Sequence, residues 1–204
     1  MARVAAAKAE KPDTRTVVLE AAKKVLRQSG YSKLSTRDVA AAADVPLSQI
    51  HYHFGSKQGM LLALFEYLNA QLLDRQGRLF DDATLKVSEQ WDRACDYLDE
   101  DIASGYVRVL QELIAAGWAD AAIGKVIRAG LMGWSDAVRR LARRAEQELG
   151  SLGPFSSEEL AALIGNAFLG AESIYLLGLE KKGIPARQSL RRIGDLIRIK
   201  EGNS

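Results

Sequence analysis

Ser48, Gln49, His51, Tyr52 and His53 place a row of hydrogen-bond donors and acceptors, with an aromatic among them, on one short segment. The spacing predicts a helix over residues 46–53 whose clearly apolar positions, Leu47, Ile50 and the adjoining Phe54, recur at i, i+3 and i+7. Such a helix is too polar to exist for packing alone. A short exposed helix of this chemistry, set behind a tight turn, is what reading the major groove of duplex DNA requires. His51 and His53 are the only histidines in the chain and raise the question of a metal. Residues two apart on a helix point about 200° away from one another around the axis. No Cys or carboxylate cluster stands beside them in the sequence, so no metal site is expected.

The reading helix needs a platform, and the residues before it supply one. Ser35 and Asp38 have the spacing of a Ser-x-x-Asp capping box, with Leu34 and Val39 placed as its hydrophobic staple. The predicted helix over 36–43 is mostly Ala and lets another helix pack closely. Asp44 tolerates a left-handed turn, and Pro46 has the fixed φ suited to a helix start. Ahead of this pair, Val18, Ala21, Ala22, Val25 and Leu26 form one stripe of a first helix that Asp13 or Thr14 can cap and Gly30 ends. Tyr31 is expected to pack back into the small core. Behind the pair, Ser56 caps a long fourth helix with Met60, Leu61, Leu64, Phe65, Leu68 and Leu72 along one face.

Across residues 14–65 the chain resembles the tetracycline-repressor (TetR) family of helix-turn-helix transcriptional regulators. The likeness rests on Thr36-Arg37-Asp38-Val39-Ala40, on the short segment ending in His53-Phe54, and on Ser56-Lys57 opening the fourth helix. The family usually has Gly where Asp44 stands, Tyr where His51 stands, and often a small residue or Thr at Gln49. The resemblance implies that Thr36, Arg37 and Lys57 grip DNA phosphates, aided at the second helix by its N-terminal dipole. It implies that Leu47, Ser48 and Gln49, following Pro46, face base edges. Gln49 can pair with adenine and Leu47 can touch a thymine methyl. By the same resemblance Tyr52 and His53 approach the backbone, with His51 in the family's Tyr position. From the residues alone, Tyr52 could instead cover the small core and Ser48 could be a local cap.

The charge distribution agrees with this placement. The net charge is only +2, but residues 1–57 carry +5 and the remainder −3. Residues 1–12, Ala- and Lys-rich, read as a flexible basic arm in which Arg3, Lys8 and Lys11 could touch phosphates. Hydrophobic residues at 48% and charged residues at 26% describe an ordinary globular composition. No apolar run approaches the ~18–20 residues of a membrane span, and the N-terminus lacks the apolar core of a secretory signal. The single Cys95 excludes an intrachain disulfide and fits a reducing compartment, so a cytoplasmic location is expected.

No strand-like alternation is found after the fourth helix either. The expected class is all-α, with about nine helices. Residues 13–57 are expected to form a three-helix head and 58–204 a larger helical domain, which the resemblance implies serves ligand binding and dimerisation. Gly105, Gly117, Gly150 and Gly183 punctuate it, with one helix running from about 157 to Glu180 and the last over 186–199. An enzyme is the competing class. It has little support: there is no Gly-x-Gly-x-x-Gly or Walker loop, no Glu-x-x-His pair of a di-iron bundle, and no nucleophile with a credible orienting acid. No cofactor is expected.

Aromatic and soft side chains concentrate in this second domain. Trp91, Cys95, Tyr106, Trp118, Met132, Trp134 and Phe168 are the candidate lining of an effector pocket, although aromatics at helical spacing also build ordinary cores. The resemblance implies a small apolar or aromatic effector that releases a repressor from a near-palindromic operator. It also implies a homodimer through the last two helices, with Ile164, Phe168, Ala171, Tyr175, Leu190, Ile193 and Ile197 as the candidate contacts. Arg139, Arg140, Arg143 and Arg144 share one helical face and read as solvated or paired with Glu146 and Glu148.

Overall fold

The computed structural model describes residues 13–30 and 33–202. The basic arm expected at 1–12 and the expected packing of Tyr31 lie outside them. Nine α-helices and no strand occur among the described residues, and the chain divides into two compact units, Met1–Ala63 and Leu64–Ser204.

The first unit holds α1 (Thr14–Ser29), α2 (Thr36–Ala42), α3 (Leu47–Phe54) and the beginning of α4 (Lys57–Asp81). Asp13 caps α1, accepting from the Arg15 N–H at 2.7 Å, and Gly30 closes it at φ 76°. Every residue of the predicted α1 stripe is buried, with Leu19 beside it. Leu34, Val39, Ile50 and Met60 are fully buried with them, each contributing roughly 1.5–3 kcal/mol. The capping box of α2 forms only in part. Ser35 Oγ accepts from the Asp38 N–H at 3.1 Å, but the Asp38 carboxylate takes the Ser35 hydroxyl at 2.5 Å. An Asp side chain is one methylene shorter than the Glu that usually reaches back to the cap N–H, so it stops at the hydroxyl.

The second unit holds the rest of α4, then α5 (Val87–Ser104), α6 (Tyr106–Gly117), α7 (Ala121–Leu149), α8 (Ser157–Leu176), a 3-10 turn (Leu179–Lys182) and α9 (Ala186–Glu201). Gly105 joins α5 to α6 at φ 84°, a left-handed position that leaves no room for a longer connection. Helix α8 is shorter than the sequence pattern indicates. Leu177, Gly178 and the 3-10 turn follow it because Gly178 enters the left-handed region at φ 70°, which breaks the α ladder although the apolar pattern continues to Leu179. The buried amide of Gln90 donates to the carbonyls of Leu79 (2.8 Å) and Asp82 (2.9 Å), satisfying the orphan end of α4.

Helices α5 and α9 are fastened by chemistry that either helix alone would not suggest. The Trp91 indole N–H donates to the Leu190 carbonyl at 2.8 Å, and Arg198 and Arg191 reach Asp92 (2.6 Å) and Asp96 (2.8 Å). These half-exposed ion pairs set register more than they add stability. Arg139, Arg140, Arg143 and Arg144 of α7 are paired, but mostly not with the expected acids. Arg144 does meet Glu148, whereas Arg143 reaches Glu158, Arg140 reaches Asp81 and Arg139 reaches Asp136. Glu146 instead accepts from the Ser157 hydroxyl.

Candidate nucleic-acid interface and effector cavity

Helix α3 is held by one buried residue and offers the rest. Asp44, at φ 52°, is the one non-glycine residue with positive φ among the described residues, and it reverses the chain between α2 and α3. Pro46 is the N-cap residue of α3 rather than its first helical residue. Its carbonyl accepts from the Gln49 N–H at 2.9 Å, and Gly55 ends the helix at φ 71°. With Ile50 fully buried, Ser48, His51 and Tyr52 are exposed, and Leu47, Gln49 and His53 are half-buried. Tyr52 is 81% exposed, which removes the reading in which it covers the core. Its ring meets His53 edge-on at 5.0 Å, while His51 Nδ1 lies 3.4 Å from the Gly55 carbonyl. The two imidazoles therefore keep different company, one on each side of the Tyr52 position.

Around α3 the first unit gathers further polar groups. Thr36 and Arg37 occupy the N-terminal turn of α2, Thr36 half-buried and Arg37 exposed. Lys57, exposed, opens α4 just after Ser56, whose hydroxyl accepts from the Gly59 N–H at 3.0 Å. The Arg15 guanidinium lies over the Phe54 ring at 5.7 Å and braces the end of α3.

In the second unit a cavity of about 40 Å³ lies among α4, α6, α7 and α8. Tyr106, Trp134 and Phe168, three of the expected residues, line it. Trp91 lines a neighbouring cavity of about 10 Å³, which shares Trp134 and Phe168 as walls. The remaining three expected residues are elsewhere. Cys95 lines neither cavity and is inert, burial pushing its thiol up to about 12. Trp118, 83% exposed, stands at the C-cap of α6, and Met132, 58% exposed, faces outward from α7. Met132 fails because neighbouring residues on a helix point about 100° apart, and Leu131 takes the cavity-facing position.

Of the lining residues that were not among the candidates, Phe65, Asn69 and Glu172 bear most on the chemistry. Phe65 stacks on Tyr106 at 6.0 Å, and the Tyr106 hydroxyl donates to Asn69 Oδ1 at 2.9 Å. Glu172 is 7% exposed and accepts from Gln111 Nε2 at 2.8 Å. Burial pushes its carboxyl up to about 7, with the Gln111 hydrogen bond opposing and Asp101 reinforcing the rise. A signal existed for the two polar ones: Asn69 follows Phe65, and Glu172 follows Phe168, by four residues on an apolar face. A polar side chain in that position must find a partner or a ligand.

The expected dimer contacts divide in the same way. Phe168, Ala171 and Leu190 are buried within the chain. The turn of α9 that holds Leu190 receives the Trp91 indole, and Ile197 packs on an inner cluster that includes Leu79 and Leu141. Ile164 and Ile193 are half-buried, and Tyr175 is 38% exposed. Leu163 on α8, Leu177 after it, and Leu196 and Ile199 on α9 are exposed instead.

A family profile described as "Bacterial regulatory proteins, tetR family" matches residues 18–64, which hold most of α1, all of α2 and α3, and the start of α4. The HTH-type transcriptional regulator CymR of Pseudomonas putida is 32% identical over 123 residues, which are 57% of this chain and 57% of that protein. The match thus spans little more than half of that relative's length. Over nearly the whole chain the fold is that of a TetR transcription regulator from Haloarcula marismortui ATCC 43049, with a TM-score of 0.72, 15% identity, and 91% and 96% of the two chains covered. A TetR transcriptional regulator from Legionella pneumophila gives 0.71, 17% identity, and 92% and 98% covered. Residues 18–64 thus match the tetR family of bacterial regulatory proteins, and the chain as a whole has the fold of solved TetR regulators.

Proposed function

We propose that this chain is a cytoplasmic homodimeric repressor that binds a near-palindromic operator and leaves it when a small molecule occupies the second unit. The observation that carries the reading is α3: one buried residue fixes it, while Ser48, His51 and an 81% exposed Tyr52 are offered outward behind a left-handed turn. Gln49 reads adenine, Leu47 meets a thymine methyl, and Ser48 reaches a neighbouring base edge. Thr36, Arg37, Lys57, Tyr52, His51 and His53 hold the backbone, so affinity falls with salt while specificity stays with α3.

Two heads are needed to read two half-sites, which lie about 34–36 Å apart in successive major grooves. The exposed apolar residues Leu163 of α8, Leu177 just after it, and Leu196 and Ile199 of α9 join Tyr175 as the surface two copies share. Gly170 supports close approach, because a Cβ there would meet nothing within 4 Å in the protomer.

The cavity supports a role for a ligand by being nearly shut. At about 40 Å³ it is far below the ~300–1,000 Å³ of formed ligand sites. A ligand must therefore displace Trp134 or Phe168 and select a conformation different from this one. Helix α4, continuous from Lys57 to Asp81, carries that change to the head. A ~100-fold loss of operator affinity needs about 2.7 kcal/mol of coupling, within the usual allosteric range.

Selection from a random pool of duplex DNA, at fixed salt and with competitor, tests the reading. Enrichment of a near-palindrome is expected. A folded dimer that enriches nothing would refute sequence-specific reading and favour a helical small-molecule-binding protein or enzyme.

A further inference from the structure

The residues around the two small cavities differ sharply in charge from the rest of the chain. No Lys, Arg or His among the described residues lines either one. Their polar lining includes two buried acceptors. The first has the Glu172 carboxylate; in the second, Gln76 Oε1 is buried without a hydrogen-bond partner. Aromatic rings make up much of the remaining wall. Trp134 and Phe168 stand 5.5 Å apart between the cavities, Trp91 meets Phe168 at 5.8 Å, and Tyr106 stacks on Phe65.

A buried carboxylate is costly unless something answers it. Glu172 accepts a hydrogen bond from the neutral Gln111 amide, and the charged group that bears on it is Asp101, which repels it. Asp101 itself is engaged by Arg75, with bonds of 2.8 and 2.9 Å, so that cation is already committed. An apolar acid entering here would set a second negative charge against Glu172 with no cation to receive it. A cation would relieve the site and gain the faces of the rings besides.

We propose that the effector is an amine with an apolar or aromatic body, its ammonium group received by Glu172 beside Tyr106 and Trp134. The proposal rests on the reading that this cavity takes the effector. The cavity of about 40 Å³ holds a group of ammonium size. The body enters when the shared wall of Trp134 and Phe168 yields, joining the two cavities into one slot that ends near the unpaired Gln76 oxygen.

The test is binding of three matched probes to the full-length protein, followed by calorimetry and tryptophan emission: phenethylammonium, phenethyl alcohol and hydrocinnamate. The ammonium ion is expected to bind at least about tenfold more tightly than the alcohol, with the carboxylate weakest. Glu172→Gln should erase that preference while leaving the alcohol's affinity in place. Because Glu172 titrates at about 7, ammonium affinity should rise about tenfold from pH 6 to pH 8, with the alcohol unaffected. Charged or titratable groups that also bear on the site are Asp101 on α5, Arg75 on α4 and Tyr106 on α6, so Asp101→Asn is run beside it and should keep the preference. If the alcohol or the carboxylate binds as tightly, or the preference survives in Glu172→Gln, the cationic assignment is wrong although the cavity is a ligand site. If no probe binds up to millimolar concentration, the effector cavity itself is refuted, and the cationic assignment with it.

Discussion

Glu172→Gln should stabilise the second unit at pH 8 and leave it nearly unchanged at pH 4.5. In the folded chain burial raises the Glu172 carboxyl from 4.5 to about 7. The native state therefore binds more protons than the unfolded state between those values. Stability falls as pH rises through that window, and the penalty is complete above about 7. A rise of about 2.5 units corresponds to roughly 3 kcal/mol, an upper figure because a buried site relaxes. Gln has the same shape, keeps an oxygen for the Gln111 amide, and carries no charge to desolvate. All three tryptophans, at 91, 118 and 134, lie in the second unit, so tryptophan emission during urea unfolding reports on that unit. Wild type and variant are compared at both pH values. The difference of differences cancels other titrating groups that the substitution leaves alone. A gain of about 1–3 kcal/mol confined to the higher pH is expected. Equal stability at pH 8, or a variant less stable there, would falsify the claim that Glu172 is held against its solvation.

Three other outcomes follow from the reading head and the outer helix faces. Gln49→Ala should relax preference at one operator position, at a cost of ~1–3 kcal/mol for the preferred base, as read by binding to a set of single-position operator variants. Lys57→Ala should weaken all sequences alike and lower the slope of log affinity against log salt by about 1, measured by fluorescence anisotropy across a salt series. Leu196→Asp, at a residue 66% exposed in the protomer, should leave unfolding of the monomer within about 0.5 kcal/mol. It should nonetheless shift sedimentation towards monomer, and an unchanged dimer would remove α9 from the interface.

What the sequence revealed divides along a physical line. Caps, turns and the stripes of α1 and α4 depend on residues within one or two turns of helix, so Asp13, Ser35, Asp44 and Gly30 announce their elements. The head was legible for the further reason that α3 has little to bury: with Ile50 taken inward, the remaining side chains have nowhere to go but out. In the second unit apolar residues run around more than one face of α8, and sequence alone does not say which face meets α7 and which is left bare. Phe168 and Ala171 thus turn inward while Leu163 remains at the surface. Leu190 is buried because Trp91, 99 positions earlier in the chain, reaches its carbonyl, a contact with no local trace.

The same distinction explains why the second unit's polar residues matter more for function than its aromatics. An aromatic at helical spacing is stabilised by any apolar neighbour, so Trp91, Tyr106, Trp134 and Phe168 would be buried whether or not a ligand ever entered. A carboxylate is not indifferent in that way. Placed among those rings at 7% exposure, Glu172 lowers the stability of the empty protein at neutral pH. A leucine there would remove the penalty and keep the packing. The strain is largest when the cavity is empty and is relieved by a group of the opposite charge. Relief that differs between two conformations is what a ligand needs in order to shift a population. If the cavity takes a cationic effector as proposed, Glu172 is both the group that recognises it and the source of the free-energy difference on which its binding acts.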